Sequence, residues 1–195
     1  MSFTGARHKY DRAMTDPNNL IVIHKKLKQG KGKRVEELAL NRAVVVLTVA
    51  AWQAYVQDIA REAVDLLKPA APPLQAWNLL NAQATRAIQL FSTPNAEKSQ
   101  DLLMHAGFDP QPSWTWTVGP ETMSVADVSL RLNRWLKVRH AIAHGHDHLP
   151  DVPMLAKLTD GSRTLRRANA EACMVFFNRV AARTDAAIRL HFLAP

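Results

Sequence analysis

The chain has 195 residues, 47% of them hydrophobic and 22% charged, which suits one folded domain with a substantial core. Its formal charge of +8 at pH 7 favours polyanionic partners, because bound phosphates release condensed counterions. The single cysteine, Cys173, excludes an internal disulfide framework and suits a reducing cytosol. The polar start, MSFTGARHKYDRAM, is no secretory signal, and the longest apolar run, 43–52, is too short to cross a bilayer. A soluble cytoplasmic protein without membrane partners is expected.

The first 33 residues read as an N-terminal basic segment with short helices, ahead of a bundle at 34–195. Near its end lies HKKLKQGKGKR, residues 24–34, with no acidic residue and two glycines. One reading is a flexible, solvated linker. The other is an arm whose Lys25, Lys26, Lys28, Lys31, Lys33 and Arg34 contact phosphates. From 34 to 68, Val35, Leu38, Val45, Val49, Trp52, Val56, Ile59, Ala63 and Leu66 recur in steps of three and four, with Arg42 interrupting the seam. That spacing predicts one long packed helix, stopped by Pro69, Pro72 and Pro73.

A second main helix is predicted at 74–91. Thr93-Pro94 then reads as the cap and first turn of a short helix, 95–105, closed by Gly107. Three prolines and two tryptophans between 108 and 121 mark an ordered, irregular excursion, with SWTWTV the one stretch resembling a strand. Ser124 caps a helix that continues to about His144, with Gly145 as its stop. The last helix, 166–192, packs through Cys173, Phe176, Phe177, Val180 and Ile188. The fold class is all-α: a bundle of four to five main helices with short additional helices.

The functional question centres on KVRHAIAHGHDHLP, residues 137–150. Val125, Val128, Leu132, Trp135 and Ile142 keep a three-four rhythm, and Arg139 completes it. A guanidinium on a core-facing stripe is costly unless a carboxylate, a phosphate or water satisfies it. The bland explanation is a stem that carries its charge past the core edge, or an ion pair with Asp58 or Glu62 on the long helix. His144 lies five residues on, so the two side chains diverge by about 140° on an ideal helix. They would flank one phosphate if the last turn unwinds, or if two copies of the motif face each other. His140 and His144 share a face directly.

RHAIAHG, residues 139–145, resembles the Arg-polar-x-x-x-His signature of the HEPN superfamily (higher eukaryotes and prokaryotes nucleotide-binding). AAWQAYVQDIAREA in the long helix, FSTPNAEKSQDLL at 91–103 and TDAAIRL in the last helix are similar to its RiboL-PSP-HEPN branch, so the resemblance covers roughly 40–190. It implies a homodimeric helical bundle that cleaves RNA without metal or other cofactor. Arg139 would hold the scissile phosphate, His144 would serve as general acid or base, and His140 would orient either partner. It further implies a toxin or defence effector with an antitoxin or defence-system partner. Two positions depart from the pattern. Gln53 stands where relatives often carry an acid, and His146 stands where toxins silenced by a nucleotidyltransferase carry tyrosine.

Other readings compete. His140, His144, His146 and His148 with Asp147 and Asp151 form a metal-ligand cluster in composition, but their spacing matches no established motif, and no metal site is expected. Trp114 and Trp116 are the better candidates for a base-stacking surface, though covering the bundle is the simpler reading, while Trp52 and Trp135 read as core. A HEPN-like dimer that binds RNA or protein without cleaving is the alternative function. No helix-turn-helix with a basic recognition helix supports a DNA-binding regulator.

Overall fold

A computed structural model describes residues 4–26, 35–71, 74–119 and 121–193. Among them are seven α-helices: α1 (Gly5–Ala13), α2 (Thr15–Lys26), α3 (Val35–Leu66), α4 (Gln75–Leu90), α5 (Ala96–His105), α6 (Val125–Ala143) and α7 (Arg167–Leu193). Two antiparallel ribbons interrupt them, β1 (Trp116–Val118) with β2 (Glu121–Met123), and β3 (Ala156–Lys157) with β4 (Arg163–Thr164). The chain is an all-α bundle, as the helical spacing predicts.

The 32-residue α3 is the spine, and α1, α2, α4, α5, α6 and α7 all pack against it. Neighbours on every side explain why burial extends beyond one stripe to Val44, Ala51, Tyr55, Ala60 and Val64. The two ends of the predicted seam emerge from the packing, with Val35 65% and Leu66 44% exposed. Trp52 sits at the centre, against the rings of Tyr55, Trp114 and Phe177, and its Nε1 donates to the Pro94 carbonyl at 3.2 Å. That bond satisfies the indole's single donor where water does not reach.

The N-terminal helices belong to the same core: Ala6, Tyr10, Met14 and Ile21 are buried in it. Thr4 caps α1 by accepting the Arg7 N–H at 3.0 Å, and its hydroxyl donates to the fully buried carboxylate of Asp185 on α7. Arg189 holds the other oxygen of that carboxylate at 3.1 Å. One end of the chain is thereby fastened to the other through a partnered charge.

The short helix α5 has its cap two residues beyond the Thr93 reading. Asn95 is its cap, accepting the Lys98 N–H at 2.7 Å, while Pro94 turns its carbonyl to Trp52. Ser124 caps α6 in a capping box with Asp127, each side chain bonded to the other's backbone N–H. On α6, Val128, Leu132 and Trp135 are buried, with Leu136, Val138 and Ala141 added, while Val125 and Ile142 are half-buried. The five residues expected to pack α7 are all buried.

Candidate functional site

The C-terminal turn of α6 is closed by a Schellman arrangement. His146 N–H bonds to the Ala141 carbonyl at 2.9 Å and Gly145 N–H to Ile142 at 3.2 Å, with Gly145 at φ +65°. Only glycine adopts that backbone routinely, and it ends the helix there. His144 N–H still bonds to the His140 carbonyl at 3.0 Å, so the helix does not unwind before Gly145. Within one copy, Arg139 and His144 therefore keep the divergence that helical geometry gives them.

Arg139 is half-buried, on the α6 face it shares with Trp135 and Leu132. Its Nε is buried and has no hydrogen-bond partner among the described residues. The expected pairing with Asp58 or Glu62 does not occur. Asp58 binds Lys9 at 3.5 Å and Arg61 at 2.8 Å, and Glu62 accepts the Ala6 N–H. The reason is the packing of α1 against α3, which draws both acids toward α1. A buried donor left unpaired costs about 1–3 kcal/mol, a cost that a bound acceptor would relieve.

The imidazoles of His140 and His144 stack, ring centroids 5.9 Å apart and planes 14° from parallel, and His146 continues the row at 6.1 Å from His144. His140 is half-buried. Burial first, then Arg139, then His144, holds its pKa below the ordinary 6.5, so it is neutral near pH 7. His144, His146, Asp147 and His148 are exposed. Asp151 is taken by the guanidinium of Arg163. Among the described residues no group of three or more His, Cys, Asp or Glu stands where it could hold a metal ion.

Of the basic arm, Lys25 and Lys26 form the last turn of α2, which runs past the predicted start of the linker. Lys25 pairs with Glu171 at 3.0 Å, and Lys26 is exposed. Lys28, Lys31, Lys33 and Arg34 lie outside the described residues. Trp114 and Trp116 are buried, at 0% and 6% exposure, so neither offers a stacking surface. Trp114 Nε1 instead donates to Thr184 at 2.9 Å. Gln53, at the position where an acid was anticipated, donates to the Phe91 carbonyl at 3.2 Å just beyond α4. A carboxylate has no proton to make that bond at neutral pH.

One feature escaped the sequence reading. Beside His140 lies a cleft of about 270 Å³ between α6 and the start of α5, lined by Asn95, Asn133, Leu136, Lys137 and His140. Asn133 accepts the Ala96 N–H at 2.9 Å, linking the two helices. Asn133 was readable as a polar residue on a mostly packed helix, but nothing local paired it with Asn95. No family model, curated protein or solved structure matches the chain.

Proposed function

We propose that the chain is a metal-independent endoribonuclease of HEPN type, acting as a homodimer. The observation that carries this reading is Arg139: a guanidinium at the core edge, its buried Nε unpartnered, beside the stacked His140–His144 pair. Arg42 has a buried Nε in the same condition, so it is the place of Arg139 beside the two histidines that supports a phosphate-gripping role. Because α6 stays helical through His144, the arginine of one copy and the histidine of a second copy meet at one phosphate only when two motifs face each other.

In the reaction the RNA's own 2′-hydroxyl attacks the adjacent phosphorus while the P–O5′ bond breaks. One imidazole takes the 2′-hydroxyl proton and an acid returns a proton to the departing O5′. The products are a 2′,3′-cyclic phosphate and a 5′-hydroxyl. His144 is the acid or base, since imidazole titrates near neutrality, and Arg139 stabilises the charge that develops on the non-bridging oxygens. His140, neutral and stacked on His144, positions it. DNA lacks the nucleophile and would not be cut. The resemblance implies a toxin or defence role for such an activity.

A non-catalytic RNA- or protein-binding dimer is the second reading. It is favoured by the His144 ring, which has no hydrogen-bonding group to orient it among the described residues. Cleavage in EDTA, with end-group analysis of the products, separates the two. The nuclease reading expects cyclic phosphate ends from RNA and intact DNA, and uncut RNA would leave the binding module. Light scattering should give a dimer without RNA, and a monomer at high concentration would contradict the shared site.

A further inference from the structure

The cleft beside His140 is walled mainly by apolar surface, to which Asn95, Asn133, Lys137 and His140 bring the polar groups. Asn133 Oδ1 is occupied by the Ala96 N–H and Asn95 Oδ1 by the Lys98 N–H. A backbone N–H only donates, so these bonds fix both amides with the oxygen turned to α5 and the NH2 group left over. Neither NH2 has a protein partner among the described residues. Lys137 adds an exposed ammonium and His140 a ring nitrogen, Leu136 forms the apolar wall, and no carboxylate lines the space.

The end of α5 is not itself the ligand site, because its Ala96, Lys98 and Ser99 N–H groups are already bonded to Asn133 and Asn95. What remains open is the amide pair. We infer that this cleft is a phosphodiester subsite, in which the Asn95 and Asn133 amides and Lys137 hold the RNA phosphate next to the scissile one. That the phosphate belongs to RNA rests on the ribonuclease reading; that the cleft takes an anionic acceptor rests on the donor set alone. At about 270 Å³ it is below the ~300–1,000 Å³ of sites that engulf a drug-sized molecule, and it suits a single backbone group. Its place against His140, which stacks on His144, sets a bound strand alongside the motif.

The test uses substitutions that spare the fold. In Asn95→Asp and Asn133→Asp the carboxylate oxygen still accepts the backbone N–H, and aspartate caps a helix as well as asparagine. Only the outward donor changes, into an acceptor that repels phosphate. The probe is a fully 2′-O-methylated oligoribonucleotide, which has no free 2′-hydroxyl and cannot be cut, so the result is independent of whether His144 catalyses anything. The double variant should bind it roughly tenfold or more weakly, since bonds to charged groups are the stronger class. Its comparison is a charge-matched control, Asn78→Asp with Gln83→Glu on the exposed face of α4. Equal binding by the double variant and the control would overturn the subsite. In the wild-type protein the side-chain amide resonances of Asn95 and Asn133 should move on adding the oligomer, and inorganic phosphate should move the same two at higher concentration. Resonances that stay still with saturating oligomer, or move with oligomer but never with phosphate, would also overturn it. The wild-type spectra decide the matter even if the variant melts early.

Discussion

Replacing Arg139 with methionine isolates the cost of holding a guanidinium at the core edge. Methionine keeps an unbranched apolar stem on the face shared with Trp135 and Leu132, and removes a buried Nε–H that has no acceptor. Relieving an unsatisfied buried donor returns about 1–3 kcal/mol, while an approximately volume-conserving change costs up to about 1.5 kcal/mol. Arg139 is only half-buried, so the lower part of the gain, about 1 kcal/mol, applies, and the net lies between that gain and a loss of about 0.5 kcal/mol. For a chain of this size Tm rises by no more than about 4 °C or falls by no more than about 2 °C. Urea unfolding at neutral pH, with unchanged m, reads the effect directly. A loss of more than about 1 kcal/mol would refute the reasoning, since it would mean that the arginine is satisfied and structural. The same variant should have no cleavage activity, so that function is lost with little change in stability.

Gln53→Glu should destabilise by about 1–2 kcal/mol in the same assay, because it sets a carboxylate where an amide donates to the Phe91 carbonyl. His140 is held below its ordinary pKa of 6.5 by burial, Arg139 and His144, so the folded protein binds this proton less readily than the unfolded chain. Stability should therefore fall as pH drops below about 6.5, and His140→Gln should flatten that part of the profile, as measured by urea unfolding across the window. Alanine at Lys25, Lys26, Lys28, Lys31 and Lys33 should weaken RNA binding and reduce its salt dependence, while leaving the single-turnover rate at saturating RNA unchanged. The Lys25–Glu171 pair is largely exposed, so its loss should cost at most about 1 kcal/mol of stability.

The bundle was legible because its signals are local and mutually consistent. Trp52 lies in a three-four seam, Ser124 and Asp127 spell a capping box, and Gly145 marks a helix stop that the backbone confirms. Thr93 was read as the cap of the short helix, but Asn95 takes that place two residues on, and Trp52 holds the intervening Pro94 carbonyl. Arg139 stood out as an anomaly of period, but its surroundings did not. Asp58 and Glu62 were drawn away by α1, whose packing on α3 leaves no mark in the periodicity of α3 itself. Trp114 and Trp116 were expected to cover the bundle, but an irregular excursion carries no pattern that names what they cover. Their ring neighbours come from α3 and α7. The donor cleft was invisible for the same reason: Asn95 and Asn133 come from separate helices and meet only in the fold.

The most direct measurement is single-turnover cleavage of RNA at saturating protein, in EDTA, comparing wild type with His144→Ala and Arg139→Lys. Saturation removes binding from the rate, so the comparison reads the bond-breaking step alone. The account predicts that His144→Ala is slower by about 10²–10⁴ with RNA affinity retained. Arg139→Lys should fail to restore activity, because lysine keeps the charge and loses the planar fork. If His144→Ala cleaves at the wild-type rate, the catalytic assignment is wrong and the chain is a binding module.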